Sequence, residues 1–241
     1  MNSVKFKNKI PERQKKWVHL LAVICITFVT LWAVYGIMCI VWPEGLTFLA
    51  KKPNEISKNL SGQNISEPIS EVINTPDWVV KNYLTPNEYS RPQTPLLQVN
   101  GIVVHYVGNP GTTAEGNRNY FEQLATTQDT YASSHFIIGL DGEIIQCIPL
   151  NEIAYCSNNR NSDTISIECC HPDADGKFNA QTYDALIQLV DWLCQTYGLN
   201  PKTDVIRHYD VTGKECPKYY VDHPDAWEQF IQELKPLPEN N

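Results

Sequence analysis

At 241 residues the chain has room for one domain of roughly 150 residues with a proper core, and for flanking segments besides. Its formal charge of −8 is unevenly spread. Lys5, Lys7, Lys9, Arg13, Lys15 and Lys16 against Glu12 leave five net positive charges before residue 43, so the remainder carries five more negative charges than the total. So acidic a body argues against nucleic acid as a partner, and its recognition of an anionic polymer has to come from shape and hydrogen bonds.

Residues 1–16 form a basic, polar tail. Residues 17–42 are nearly all apolar and carry no formal charge, with His19 near the start. At ~1.5 Å per residue a helix of this length exceeds the ~30 Å hydrocarbon thickness of a bilayer. Trp17 and Trp42 stand at its two ends, as interfacial aromatics do. The basic flank comes first, so the expected orientation leaves the N-terminus in the cytoplasm and everything after Trp42 outside. The run is too long for the core of a cleaved signal peptide, and Phe48-Leu49-Ala50 puts a large residue where a cleavage site needs a small one. A single-pass signal anchor is expected. Residues 43–76 read as a linker rich in Asn, Ser, Glu, Lys and Pro, with a coil span of ~30–35 Å.

Residues 77–241 read as one domain. Trp78 to Tyr83 predicts a short element, and Leu97 to Val107 a core strand that delivers His105 to its end, followed by Gly108-Asn109. Ala114 to Ala125 predicts a helix with Tyr120, Phe121 and Leu124 inward. Ser133 to Leu140 and Glu143 to Ile148 predict two strands around an Asp141-Gly142 turn. Thr164 to Cys170 alternates: Ile165, Ile167 and Cys169 on one side, Ser166, Glu168 and Cys170 on the other. A glutamate here either faces solvent from an edge strand or has a buried task, since glutamate is rarely buried without a partner. Asp173 to Phe178 is a turn that lacks the later ligands of a calcium loop. Ala180 to Tyr197 is the clearest amphipathic helix, with Gly198 placed to end it. Asp225 to Leu234 predicts a last short helix.

The chemistry gathers in Val205 to Pro217. His208 and Cys216 are an imidazole and a thiol, both good zinc ligands. On their own they also suit a surface histidine and a buried small hydrophobe. With His105 they make three ligands and leave a fourth tetrahedral position open, which is the catalytic rather than the structural pattern. Lys214 sits two residues before Cys216, on the same side if the loop is extended, where an ammonium stabilises a developing oxyanion.

A strand ending in histidine, a strand carrying a carboxylate, and R-H-x7-C-P with lysine two before the cysteine together resemble the zinc-dependent N-acetylmuramoyl-L-alanine amidases, the superfamily that includes peptidoglycan recognition proteins. The resemblance runs from about Tyr89 to about Trp227. It implies an α/β fold, a single domain with a mixed central β-sheet flanked by helices, preceded here by one transmembrane helix and a linker. It implies Zn2+ on His105, His208 and Cys216, Glu168 as general base, Lys214 as oxyanion partner, and peptidoglycan or muropeptides as substrate. The implied bond joins N-acetylmuramic acid to L-alanine, and the expected place is the outer face of a bacterial cell membrane.

His135 and Asn109 are candidate substrate contacts, His135 with a structural role as the other reading. One branch of the family places a tyrosine just before the histidine equivalent to His135. Here that residue is Ser134, so Glu168 carries more of the chemistry. The alternative function is a non-catalytic peptidoglycan-binding sensor, against which Cys216 speaks, since binding-only relatives typically lack that ligand. Among the remaining cysteines, Cys169 and Cys194 fall on apolar faces, while Cys147, Cys156 and Cys170 leave room for one disulfide.

Overall fold

β-Branched runs make the strands of this domain, and in the computed structural model, which describes residues 73–237, they assemble into one six-stranded sheet. The basic tail, the expected spanning segment 17–42 and all of the linker before residue 73 lie outside the described residues. Among the described residues, no helix is long and apolar enough to cross a membrane.

The elements run in chain order as β1 (Val79–Lys81), β2 (Gly101–Tyr106), α1 (Ala114–Thr127), β3 (Phe136–Ile138), β4 (Ile144–Gln146) and β5 (Thr164–Cys169). There follow α2 (Ala180–Tyr197), α3 (Pro201–Asp204), β6 (Val205–Arg207), α4 (His208–Thr212), α5 (Lys218–Asp222) and α6 (Pro224–Glu233). The sheet order is β1-β4-β3-β5-β2-β6. Only the β3–β4 hairpin is antiparallel; the other neighbours are parallel, so the sheet is mixed as expected.

Alternation along the strands sends side chains to two faces. Ile102, Val104, Ile165, Ile167 and Cys169 join Leu186, Leu189, Val190 and Leu193 of α2 in one core. Ile137, Ile145 and Cys147 join Phe121 and Leu124 of α1 in a second, smaller core on the opposite face. Tyr120 departs from its expected inward position and is half exposed. The apolar stripe of α1 runs through Ala114, Phe121 and Leu124, and one residue back turns the side chain about 100° away from it. The first core strand is also shorter than expected. Leu96, not Leu97, enters the core, and strand pairing starts only at Gly101.

Helix α2 spans the expected residues. Gly198 ends it in the left-handed region at φ 67°. At its start, the Asn179 side chain accepts from the Thr182 N–H at 2.8 Å and donates to the Leu140 carbonyl at 2.8 Å, and the Thr182 hydroxyl donates to the Gly139 carbonyl at 2.8 Å. The helix is thereby tied to the β3–β4 turn. Gly142 in that turn has φ 83°, and a Cβ there would stand 3.0 Å from the Gln181 carbonyl oxygen. The disulfide left open by the sequence is not formed: all six described cysteines are free thiols. Cys147 and Cys170 belong to the smaller core, while Cys156 reaches Glu168 instead.

Asn179→Ala removes a helix cap and a tether to the turn at once. It should cost about 1–2 kcal/mol, read as a lower urea midpoint with an unchanged slope.

Candidate functional site

Three adjacent parallel strands, β5, β2 and β6, end at the same edge of the sheet, the place where open α/β sheets bind ligands. His105 is the penultimate residue of β2 and Glu168 the penultimate residue of β5, and the two are register partners. Neighbouring strands lie about 4.8 Å apart, so the pairing sets the histidine and the carboxylate side by side on one face. His208 follows directly on β6 as the first residue of α4. The Arg207 side chain, bound to Asp210 at 2.7 Å and to the Tyr220 carbonyl at 2.9 Å, fixes the start of that helix.

Cys216 reaches the same point through a loop whose carbonyl accepts from the Tyr209 N–H at 2.8 Å. The Cys216 Sγ lies 3.8 Å from His105 Nδ1, and the two imidazole rings are 4.5 Å apart between centroids. One donor atom from each of His105, His208 and Cys216 lies within 4.8 Å of the others. All three residues are buried. Lys214 lines the same cleft, a cavity of about 250 Å³ also bordered by Tyr155, Cys156 and Glu168. The lysine arrives there by a tight turn rather than the expected extended loop, since the Cys216 N–H donates to the Lys214 carbonyl at 2.7 Å.

Burial dominates the electrostatics. It pushes Glu168 up to about 8, against the Cys156 thiol that donates to Oε1 at 3.6 Å and the charge of Lys214. It pushes Cys216 up to about 12, with Glu168 adding to the rise, while the Tyr106 backbone N–H and Lys214 oppose it. It holds His105 well below the ordinary histidine range, helped by His208 and Lys214, and it lowers His208 in the same sense. His208 Nδ1 and Glu168 Oε2 are sealed from solvent with no hydrogen-bond partner. An imidazole with a free lone pair, a second imidazole against a buried thiol, and a half-buried carboxyl with one orphaned oxygen are what a dication would satisfy. Two imidazoles and one thiolate suit zinc, so the residues present fit it.

A family profile described as N-acetylmuramoyl-L-alanine amidase matches residues 95–219, more than half of the chain. The chain belongs to that amidase family. Its relatives include the N-acetylmuramoyl-L-alanine amidase BlyA of Bacillus subtilis strain 168, 33% identical over 174 residues, which covers 64% of this chain and 46% of BlyA. The amidase CwlL of Bacillus licheniformis is 35% identical over 172 residues, covering 66% of this chain and 47% of CwlL. The chain thus spans about half the length of the curated relatives it matches. Among solved structures, the catalytic domain of XlyA is similar with a TM-score of 0.55 and 27% identity, over 65% of this chain and 99% of that one. PlyL matches with a TM-score of 0.55 and 25% identity, over 68% of this chain and 99% of that one.

In this amidase-family domain, the five residues expected from the ligand, base and lysine motifs meet in one cleft. The two expected substrate contacts do not. His135 is fully buried in the sheet. Its Nε2 lies 3.0 Å from the Glu152 carbonyl, which only accepts, so Nε2 carries the proton and Nδ1 accepts from the Ser166 N–H at 3.0 Å. Both nitrogens are used, and Glu152 is itself held by a two-pronged pairing with Arg91 at 2.8 Å. The protein's own groups thus engage the whole ring, an arrangement in keeping with the structural reading of His135. Asn109 lies on an exposed neighbouring groove with Thr113 and Tyr120. Ser134 is buried and donates to the Phe136 carbonyl at 2.9 Å, so it offers nothing to the cleft. The sequence offered Cys156 only as a disulfide candidate and did not single out Ser157 or Asn158. They sit in a polar loop with no periodicity or motif to mark them.

Burial lowers His135 to about 4, against an ordinary value of 6.5. The unfolded chain protonates this histidine first as pH falls. The stability from keeping it neutral is fully present above pH 6.5 and drains away toward pH 4. The loss over that window should be on the order of 3 kcal/mol. Urea unfolding of wild type and His135→Gln at pH 7 and pH 4.5 should show a smaller acid loss in the variant.

Proposed function

We propose that the chain is a membrane-anchored zinc amidase. It hydrolyses the amide bond between N-acetylmuramic acid and L-alanine of peptidoglycan stem peptides, at the outer face of a bacterial cell membrane. The observation that carries this reading is the convergence of His105, His208, Cys216, Glu168 and Lys214 on one cleft at the ends of β5, β2 and β6. The names of the matching relatives support the choice of bond.

His105, His208 and Cys216 would hold the zinc. Bound there, zinc would supply a Lewis acid for the amide carbonyl and a charge that favours the ionised forms of Cys216 and Glu168. Glu168 takes a proton from the attacking water, and its burial-raised affinity for protons suits that task near neutral pH. As the C–N bond breaks, Glu168 hands the proton to the leaving nitrogen. The products are the lactyl carboxylate and a stem peptide with a free L-alanine amine. The Lys214 ammonium, exposed at the rim of the cleft, stabilises the oxyanion that develops on the carbonyl oxygen.

Anchoring rests on residues 17–42, an uncharged apolar stretch behind a basic tail. The linker that follows keeps the domain within reach of nascent wall at the membrane surface. The anchor would itself target the enzyme to that surface.

Detergent-solubilised full-length chain incubated with peptidoglycan should release intact stem peptides with a free L-alanine amine, detected by mass spectrometry. A chelator should abolish release and added zinc restore it. Glu168→Gln should keep its zinc and lose at least about 100-fold in rate. A loss under about tenfold would assign the base to another group. Zinc-loaded chain that binds muropeptides without cleaving them would instead be a peptidoglycan-binding sensor. In cell fractions, the full chain should pellet with membranes, resist high salt and yield to detergent, and deletion of residues 1–42 should release it.

A further inference from the structure

The β4–β5 connection puts three consecutive residues against three different groups of the site. The Cys156 thiol donates to Glu168 Oε1 at 3.6 Å. Ser157 Oγ lies 3.3 Å from His105 Nε2. Asn158 Oδ1 lies 3.0 Å from His208 Nε2. We propose that Ser157 and Asn158 are positioning residues that hold the ring orientation of the two metal-ligating histidines, Asn158 also fixing the tautomer of His208. The inference rests on the zinc reading of the cleft and goes beyond it to residues outside the ligand set.

The proton bookkeeping follows from the donors available. A carboxamide oxygen only accepts, so His208 Nε2 carries the hydrogen and Nδ1 is left with a lone pair. That Nδ1 is the buried atom without a partner. On His105, Nε2 faces the serine hydroxyl and Nδ1 faces Cys216 Sγ. In both rings the nitrogen on the loop side is occupied, and the other is turned toward the partner ligands. A ring held by its outer nitrogen cannot swivel away from the position a metal would take. Its lone pair is already aimed, which raises affinity by removing an ordering cost.

The loop is built to hold this arrangement. Asn161 Oδ1 accepts from the backbone N–H groups of Cys156 at 3.1 Å and Ser157 at 2.6 Å. The Arg160 N–H donates to the Ser157 carbonyl at 3.0 Å, and the Thr164 hydroxyl joins the Arg160 carbonyl to the start of β5 at 2.7 Å. Arg160 pairs with Asp163 at 2.8 Å. Asn158 itself lies at φ 53°, in the left-handed region that asparagine tolerates better than most side chains. The unfavourable backbone falls on the residue whose amide reaches His208. Ser157 is buried, whereas Asn158 sits at the surface and extends inward.

The test measures zinc affinity of the full-length chain by competition with a chromophoric chelator. Asn158→Gly removes the amide and suits the backbone, and Asn158→Asp keeps an acceptor oxygen. Ser157→Ala and Ser157→Thr form the matching pair. Asn158→Gly and Ser157→Ala should each weaken zinc binding by about 10- to 100-fold. Asn158→Asp and Ser157→Thr should stay close to wild type. Thermal unfolding of the metal-free variants separates loss of the fold from loss of aim, and the conservative pair decides the case if a deletion variant unfolds. Wild-type affinity in both deletion variants would overturn the proposal while leaving the zinc reading intact. A wild-type chain that takes up no zinc would overturn both.

Discussion

In the pairing of β2 with β5, His105 is the register partner of Glu168, and everything at the site depends on that alignment. Side chains alternate across a strand, so a one-residue slip would send one of the two through the sheet into the α2 core. The slip is opposed along the whole strand. Ile102 and Val104 on β2, and Ile165, Ile167 and Cys169 on β5, must stay on the α2 side to remain dry. The hydrophobic core thus sets the geometry of polar groups it never touches. His208 depends on the same sheet, because β6 pairs with β2 and ends one residue before it.

The polar cluster so assembled is costly unless a cation balances it. Burial disfavours the charged forms of the half-buried carboxyl, the buried thiol and the two imidazoles. The unpartnered His208 Nδ1 and Glu168 Oε2 are the residue of that compromise. Both atoms belong to the groups that a bound dication and a reacting substrate would engage. The same burial that makes these groups costly is what makes them reactive.

Around this centre the fold devotes ordinary structural polar groups to rigidity. His135 spans from Ser166 to Glu152, and Arg91 clamps Glu152 from the other side. That ladder ties the segment before β2 to the connection between β4 and β5. The connection then presents Cys156, Ser157 and Asn158 to the base and the two histidines. A histidine with two saturated nitrogens and a histidine with one free nitrogen look alike in sequence, and only their surroundings separate the two roles.

Local signals carried much of what was legible. The 3.6-residue stripe of Ala180 to Tyr197 and Gly198 after it define α2, because helix periodicity and a left-handed cap are properties of contiguous residues. The alternation of Thr164 to Cys169 marked Glu168 as the odd charge in an apolar strand, and R-H-x7-C-P with Lys214 drew attention to His208 and Cys216. The strand start and the inward face of α1 were less legible, since Leu97 and Tyr120 are apolar by type and exposed by position. Whether Glu168 faced solvent or a cleft was open until β3 and β2 closed over both sides of its strand. The hydrogen-bond partners of His135 and of the loop Cys156 to Asn158 are set by tertiary structure alone. Hydrogen bonds between residues 31 or 50 positions apart leave no periodic trace in a chain, because the partners are chosen by the packed sheet and not by their neighbours in sequence.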